Sequence, residues 1–206
     1  SGQGFFVRGA NGGSVIFEEN DKISGSRQVL RPSLINKPML RMTILMPGGD
    51  SLMLADGALV QFDGSYRFEV TYEDGHKMPQ AGIGVGVKNQ NNILAVDRRP
   101  IWKEKDTIFI HLSGLRNQTY VWEFDARNLR SPGRTAWLID NYHHSQHRVQ
   151  TNGITEISFS ANSDPASRDT ARFYIILSPG RDQIPSFTSA SAKQIGGIVK
   201  LEWAVQ

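Results

Sequence analysis

The stretch TYVWEFDA (119–126) sets Tyr120, Trp122 and Phe124 on one side of an extended chain, with Val121 and Glu123 on the other. Successive side chains of a strand point to opposite faces, so an aromatic row repeating every second residue demands a buried sheet face. The same period runs through most of the chain. In MLRMTILM (39–46), Leu40, Met42 and Ile44 alternate with Arg41 and Thr43. TIFIHL (107–112) carries Ile108 and Ile110 on one face, with Phe109 and Leu112 read partly on the other, which predicts cover on both faces. TAWLID (135–140), ITEISFSA (154–161) and ARFYIIL (171–177) continue the series in β-branched and aromatic residues, the types that strands favour. A helical period is confined to candidate single turns at 128–131 and 164–169.

Turn chemistry separates these runs. MPGGDS, KNQNN, RRPIWKEKD, SGLRNQ, LRSPGR and NSDPASRD supply the Gly, Pro, Asn and Asp that turns need. FFVRG and SVIFE around GANGG read as an N-terminal hairpin. Short strands at such spacing predict an all-β fold, an antiparallel β-sandwich of jelly-roll type. Residues 62–80 read either as a long hairpin or as an irregular loop with one short helical turn. Ile184-Pro185 breaks the pattern, and SFTSASAKQIGGIVKLEWAVQ then reads as two strands joined at QIGG. The expected organisation is a sandwich over 1–184 and a C-terminal β-hairpin over 185–206, which either completes the sandwich or opens a following module.

Composition narrows the function classes. The chain has 206 residues, enough for a full core, and no apolar run near the roughly 20 residues of a membrane helix. Membrane insertion is therefore not expected. A start at Ser-Gly-Gln-Gly without a basic, then apolar leader is read as a piece cut from a longer protein. Net charge is +3, and Arg98-Arg99, Lys103/Lys105 and Arg127/Arg130/Arg134 are interleaved with acids. Nucleic acid needs several cations on one surface, so it is not an expected partner. There is no cysteine, hence no disulfide framework.

Few residues carry a chemical signal. IDNYHHSQH (139–147) holds three of the five histidines. On one continuous strand His143 and His147 would stand about 13 Å apart; ligation requires a tight turn that folds both rings toward one ion, with Asp140 as a third ligand. Otherwise this is a polar hairpin tip. Asn162, Asp164 and Asp169 in NSDPASRD are oxygen donors of the kind Ca²⁺ takes. No other cofactor is expected. In AVDRRP, Asp97 beside Arg98 and Arg99 reads as a buried pair fixing a corner, since a neighbouring guanidinium keeps a carboxylate ionised. GIGVGV lacks dinucleotide-loop spacing and no helix follows it. Trp102, with Tyr142 or Tyr72, is the candidate platform for a sugar ring, an amphipathic contact flanked by polar side chains. There is no G-x-S-x-G and no other catalytic motif, so the expectation is a non-enzyme.

Taken in order, GQGFFVRGANGGSVIFEENDKI, LADGALVQFD, YEDGHKM, NNILAVDRRP, DTIFIHLSGLRNQTYVWEFDARNL, TAWLID and RFYIILSP resemble a module of large Bacteroidetes cell-surface proteins exported by the type IX secretion system. IPSFTSASAKQIGGIVKLEWAVQ is similar to the start of the region leading toward their C-terminal sorting domain. The resemblance covers nearly the whole chain and departs at AGIGVGV, where the family has a non-glycine apolar strand. Gly82, Gly84 and Gly86 then share one face and leave it bare, for another backbone or a partner. The resemblance implies a secreted, extracellular, non-catalytic module with an adhesion or presentation role, partnered by a glycan or other cell-surface ligand and by adjacent modules of its own polypeptide. The alternative is a carbohydrate-binding module attached to a polysaccharide-degrading enzyme.

Overall fold

The computed structural model describes residues 37–129, 134–179, 187–195 and 198–205, with single positions 16, 18 and 20 before them. The chain forms two compact units, 1–34 and 35–206. The hairpin read at FFVRG and SVIFE and part of the turn read at 128–131 lie outside the described residues. At Asn128 and Leu129 there is no helix.

The alternating runs are strands, and the fold is an antiparallel, jelly-roll-like β-sandwich. In chain order they are β1 (Met39–Gly48), β2 (Ser51–Phe62), β3 (Gly75–His76), β4 (Gly84–Asn89), β5 (Asn92–Arg99) and β6 (Asp106–Ser113). There follow β7 (Gln118–Arg127), β8 (Thr135–Asp140), β9 (Ser145–Val149), β10 (Gly153–Ala161) and β11 (Phe173–Ser178). One sheet runs β10-β7-β1-β2-β5-β4-β6-β11-β8-β9, with β3 on β5. Every pair is antiparallel except β2–β5, where Leu59 to Phe62 lie beside Val96 to Arg99 in parallel. The chain makes that crossover through 63–91, which holds β3 and β4; its first part, 63–83, is irregular apart from the two residues of β3 and has no helical turn. Pro165–Arg168 is a single 3-10 turn, as the pattern predicts.

The sheet folds over so that its two halves face each other across one core. Leu40, Met42, Ile44, Tyr120, Trp122 and Phe124 are fully buried from one side, and Ile108, Ile110, Leu112, Ile175 and Leu177 from the other. Trp122 meets Phe173 edge-on at 5.6 Å between ring centres, and Phe159 meets Phe173 at 4.8 Å. The reading of Leu112 is corrected here: it shares parity with Ile108 and Ile110 and points inward. Phe109 stands 54% exposed on the outer face, so that face is not covered as expected.

Sheet order places the two rims next to each other in sequence. β9 and β10 end the path on opposite sides, yet only Gln150–Asn152 separates them. The corner is held by the Gln150 backbone N–H donating to Thr155 Oγ1 at 2.9 Å and by Gly153 at φ 127°, a conformation glycine takes without strain. By contrast β1 and β11, the first and last strands of this sheet, are interior and each pairs on both sides. Residues Phe187–Ile195 (β12) and Ile198–Val205 (β13) pair with each other and, among the described residues, with no other strand, as the hairpin read at 185–206. Among the described residues no helix is long and apolar enough to cross a membrane.

Candidate functional site

The buried ions hold corners. Asp97 and Arg99 lie on β5, where the alternation turns both inward. Arg99 Nε donates to Asp97 Oδ2 at 2.8 Å, Arg99 Nη1 to Asp106 Oδ2 at 3.0 Å, and Asn89 Nδ2 to Asp97 Oδ1 at 3.2 Å. That is the corner pair the sequence predicts, with Asp106 added. Asp56 accepts from Lys77 at 2.6 Å and from the Val85 N–H at 2.6 Å, pinning the crossover loop to the sheet. Asp74 does the same further along, accepting from the backbone N–H groups of Thr71 and Arg98, each at 2.7 Å. Near the loop's start, Asp63 accepts from the Ser65 hydroxyl and N–H and pairs with Lys37, and its carboxyl is lowered to about 2.

A further buried pair went unseen in the sequence because its members are 32 residues apart. Arg172 donates Nε to Asp140 Oδ1 at 2.8 Å and Nη2 to Oδ2 at 2.7 Å, a bidentate fork. Its Nη1 serves the carbonyls of Ser160 (2.8 Å) and Ser167 (2.7 Å), so one guanidinium ties the β8 end to the β10 end. Phe173, Tyr142 and Phe159 pack around it at 4.7–5.1 Å. Burial pushes the Asp140 carboxyl up, but the Arg172 bonds and charge, with the Tyr142 and His143 N–H groups, hold it below its ordinary value.

The residues singled out in the sequence do not form the sites read for them. Trp102 is 3% exposed: it packs edge-on to Phe62 at 4.8 Å, carries Arg134 over its face at 4.5 Å and donates Nε1 to the Ser178 carbonyl at 3.3 Å. Trp102 is thus buried against Phe62 and Arg134, and its ring is not at the surface where the sugar-platform reading put it. Tyr142 is half-buried under Arg172, with its hydroxyl accepting from Asn162 Nδ2 at 3.2 Å. Tyr72 stands 97% exposed in the crossover loop. These three rings do not assemble.

The residues of the two metal readings are placed as follows. Asn141–His144 is the four-residue turn of the β8–β9 hairpin, with His144 at φ 51°. His143 sits on that turn, its Nδ1 3.7 Å from Asp140 Oδ2, a carboxylate already claimed by Arg172. His147 belongs to β9 and reaches Ser145 Oγ at 3.3 Å. The polar hairpin tip is what forms. Asn162 and Asp164 each accept the N–H two residues on, at 2.8 and 2.9 Å, shaping the 3-10 turn, and Asp169 accepts from Ala171 N–H at 2.7 Å. Among the described residues no three His, Asp or Glu side chains converge on an ion site.

The structure opens a site elsewhere, on the outer face of the second layer. Lys88, Gln90, Ile93, Phe109, His111 and Thr170 line a groove of about 730 Å³, floored by Ile110 and Phe173. Strand register builds it: Lys88 lies opposite Ile93 on one side and Phe109 on the other, and Phe109 lies opposite Tyr174, ring centres 6.1 Å apart. Gly86 makes the room. A Cβ there would come within 2.4 Å of Ile93 Cγ2, so Ile93 folds across the glycine and walls the groove. Gly84 faces Ser113 in the same way, and Gly82 precedes the strand at φ 117°. Gly84 and Gly86 are therefore covered by neighbouring side chains, contrary to the bare face expected of them, while Gly82 is exposed with nothing within 4 Å of a Cβ placed there. The legible signal for the groove is Phe109, an aromatic at an outward position between inward Ile108 and Ile110. Comparisons of the chain with protein-family models, curated proteins and solved structures find no match.

Proposed function

We propose that this chain is a non-catalytic binding module of an exported cell-surface protein, holding a ligand on the outer face of its second layer. The observation that carries the reading is the Phe109 groove. It is an amphipathic concavity on a rigid sheet, of the volume that ligand pockets take, lined by Phe109 and by polar side chains, with the Tyr174 ring packed beside Phe109. The resemblance of the ordered segments to type IX-exported surface modules supports the extracellular setting and the adhesion or presentation role. The Asp140 carboxyl, engaged by Arg172, is held below its ordinary value, the opposite of what a general acid requires.

A glycan is the ligand class that the paired rings favour, so the second reading, a carbohydrate-binding module beside a polysaccharide-degrading enzyme, rests on the same groove. One experiment tests the proposal. Purified protein is incubated with fixed bacterial cells and with insoluble polysaccharides, and retention and release of soluble sugar are measured. Retention is expected to fall at least tenfold in a Phe109→Ala/Tyr174→Ala double variant. It should be unchanged in Ile154→Ser, at an exposed position on β10, and no soluble sugar should appear. Retention indifferent to the double variant, or fragments released from the polymer, would overturn the proposal.

A further inference from the structure

The groove has a sign as well as a shape. None of its nine lining residues is acidic. Lys88 is exposed and no ion pair within 4 Å engages it among the described residues. Across the β4–β6 ladder, His111 lies opposite Gly86, two residues from Lys88. Burial and the Lys88 charge hold the His111 imidazole below its usual value, so near neutral pH it presents one donor and one acceptor and leaves the charge to Lys88. Gln90 and Thr170 add further polar groups at the rim.

The groove also lies on a longer track. The row Ile93–Lys88–Phe109–Tyr174–Ile139–Gln146 crosses β5, β4, β6, β11, β8 and β9 in continuous register. Five inter-strand spacings of about 4.8 Å make it roughly 24 Å long. A folded protein partner needs on the order of 800 Å², about 20–30 residues, per side for a stable interface, whereas nine residues line this groove. A linear chain of rings fits it better. A flat sugar ring meets Phe109 and Tyr174, hydroxyls meet Gln90, His111 and Thr170, and the lone ammonium calls for an anion on the same ring or its neighbour.

We infer that the Lys88–Phe109–His111 groove binds an acidic polysaccharide, a chain of carboxylate-bearing sugars laid across the strands, with Lys88 pairing a carboxylate and Phe109 and Tyr174 stacking on the rings. This rests on the binding-module reading and names its ligand class. The test uses the full chain and a panel of oligogalacturonates and oligomannuronates, each as free acid and as its methyl ester, titrated by calorimetry at low and raised salt. Expected are binding to at least one free acid, at least tenfold weaker binding to its ester, loss in Phe109→Ala, and loss in Lys88→Glu. Lys88→Gln should fall between, and added salt should weaken the acid form only. Both sites are exposed, and unchanged circular dichroism and thermal unfolding of the variants confirm that they fold. Equal affinity for acid and ester, or indifference to Lys88→Glu, overturns the inference and leaves the module reading standing. Binding to no member of the panel also overturns it, and the module reading is then judged by cell retention alone.

Discussion

Arg172 ties the β8 end, the β10 end and the 3-10 turn through one buried guanidinium. It is 1% exposed, forks onto Asp140 and caps two carbonyls, so truncating it leaves a buried carboxylate without its counter-charge, the buried Ser167 carbonyl without this donor and the part-buried Ser160 carbonyl without it too. Breaking a buried pair from one side costs about 3–5 kcal/mol, while replacing both partners by packed apolar groups costs far less. Arg172→Ala should therefore lower the urea midpoint by an amount equivalent to several kcal/mol, and Asp140→Leu/Arg172→Met should recover much of it. The pair also sets an acid response. Because the folded Asp140 carboxyl titrates below its ordinary 3.8, its contribution is complete above that value and is lost as pH falls through the lower folded value. Urea midpoints measured from pH 6 to pH 2 should fall steeply at the acid end in the native protein. In Asp140→Asn they should start lower and fall less.

At the level of elements, the inter-strand corners are the fragile points. Gly114 follows β6 at φ 73°, and a Cβ there would sit 2.0 Å from the Gly82 carbonyl oxygen. Gly114→Ala meets both backbone strain and a collision with backbone that cannot swing aside, so a loss of about 1–3 kcal/mol is expected by chemical denaturation. By comparison Gly49, at φ 67° in the open β1–β2 turn, meets nothing within 4 Å, and its alanine variant should lose less. Strand identity was legible here because period two survives in β1, β7 and β11 without help from partners. The Asp97–Arg99 corner was legible because its members are two residues apart on one strand. The Asp140–Arg172 fork was not, and of the groove only the outward Phe109 was, since each is made by register between separate strands. Trp102 misled for a related reason: a tryptophan between charged residues looks exposed, and only the fold places Phe62 and Arg134 against its faces.

At the scale of the whole molecule, the parallel β2–β5 contact and the β1–β7 ladder make the sandwich a structure of long-range pairings, slow to assemble relative to helical domains. Its strand order has another consequence. The first and last strands of the sheet are both interior, each clasped between two neighbours, and the two rims meet at a single corner well away from them in sequence. A tether pulling on residues 39 and 178 therefore finds no outer strand to peel. It must draw a central one out of two ladders at once. Stretched between optical-trap handles at those positions, the sandwich should rupture in a single step rather than by gradual unzipping, and handles at 145 and 161, on the rims, should open it at markedly lower load. In the surface role proposed above, this order of strands would let the chain bear tension along its length.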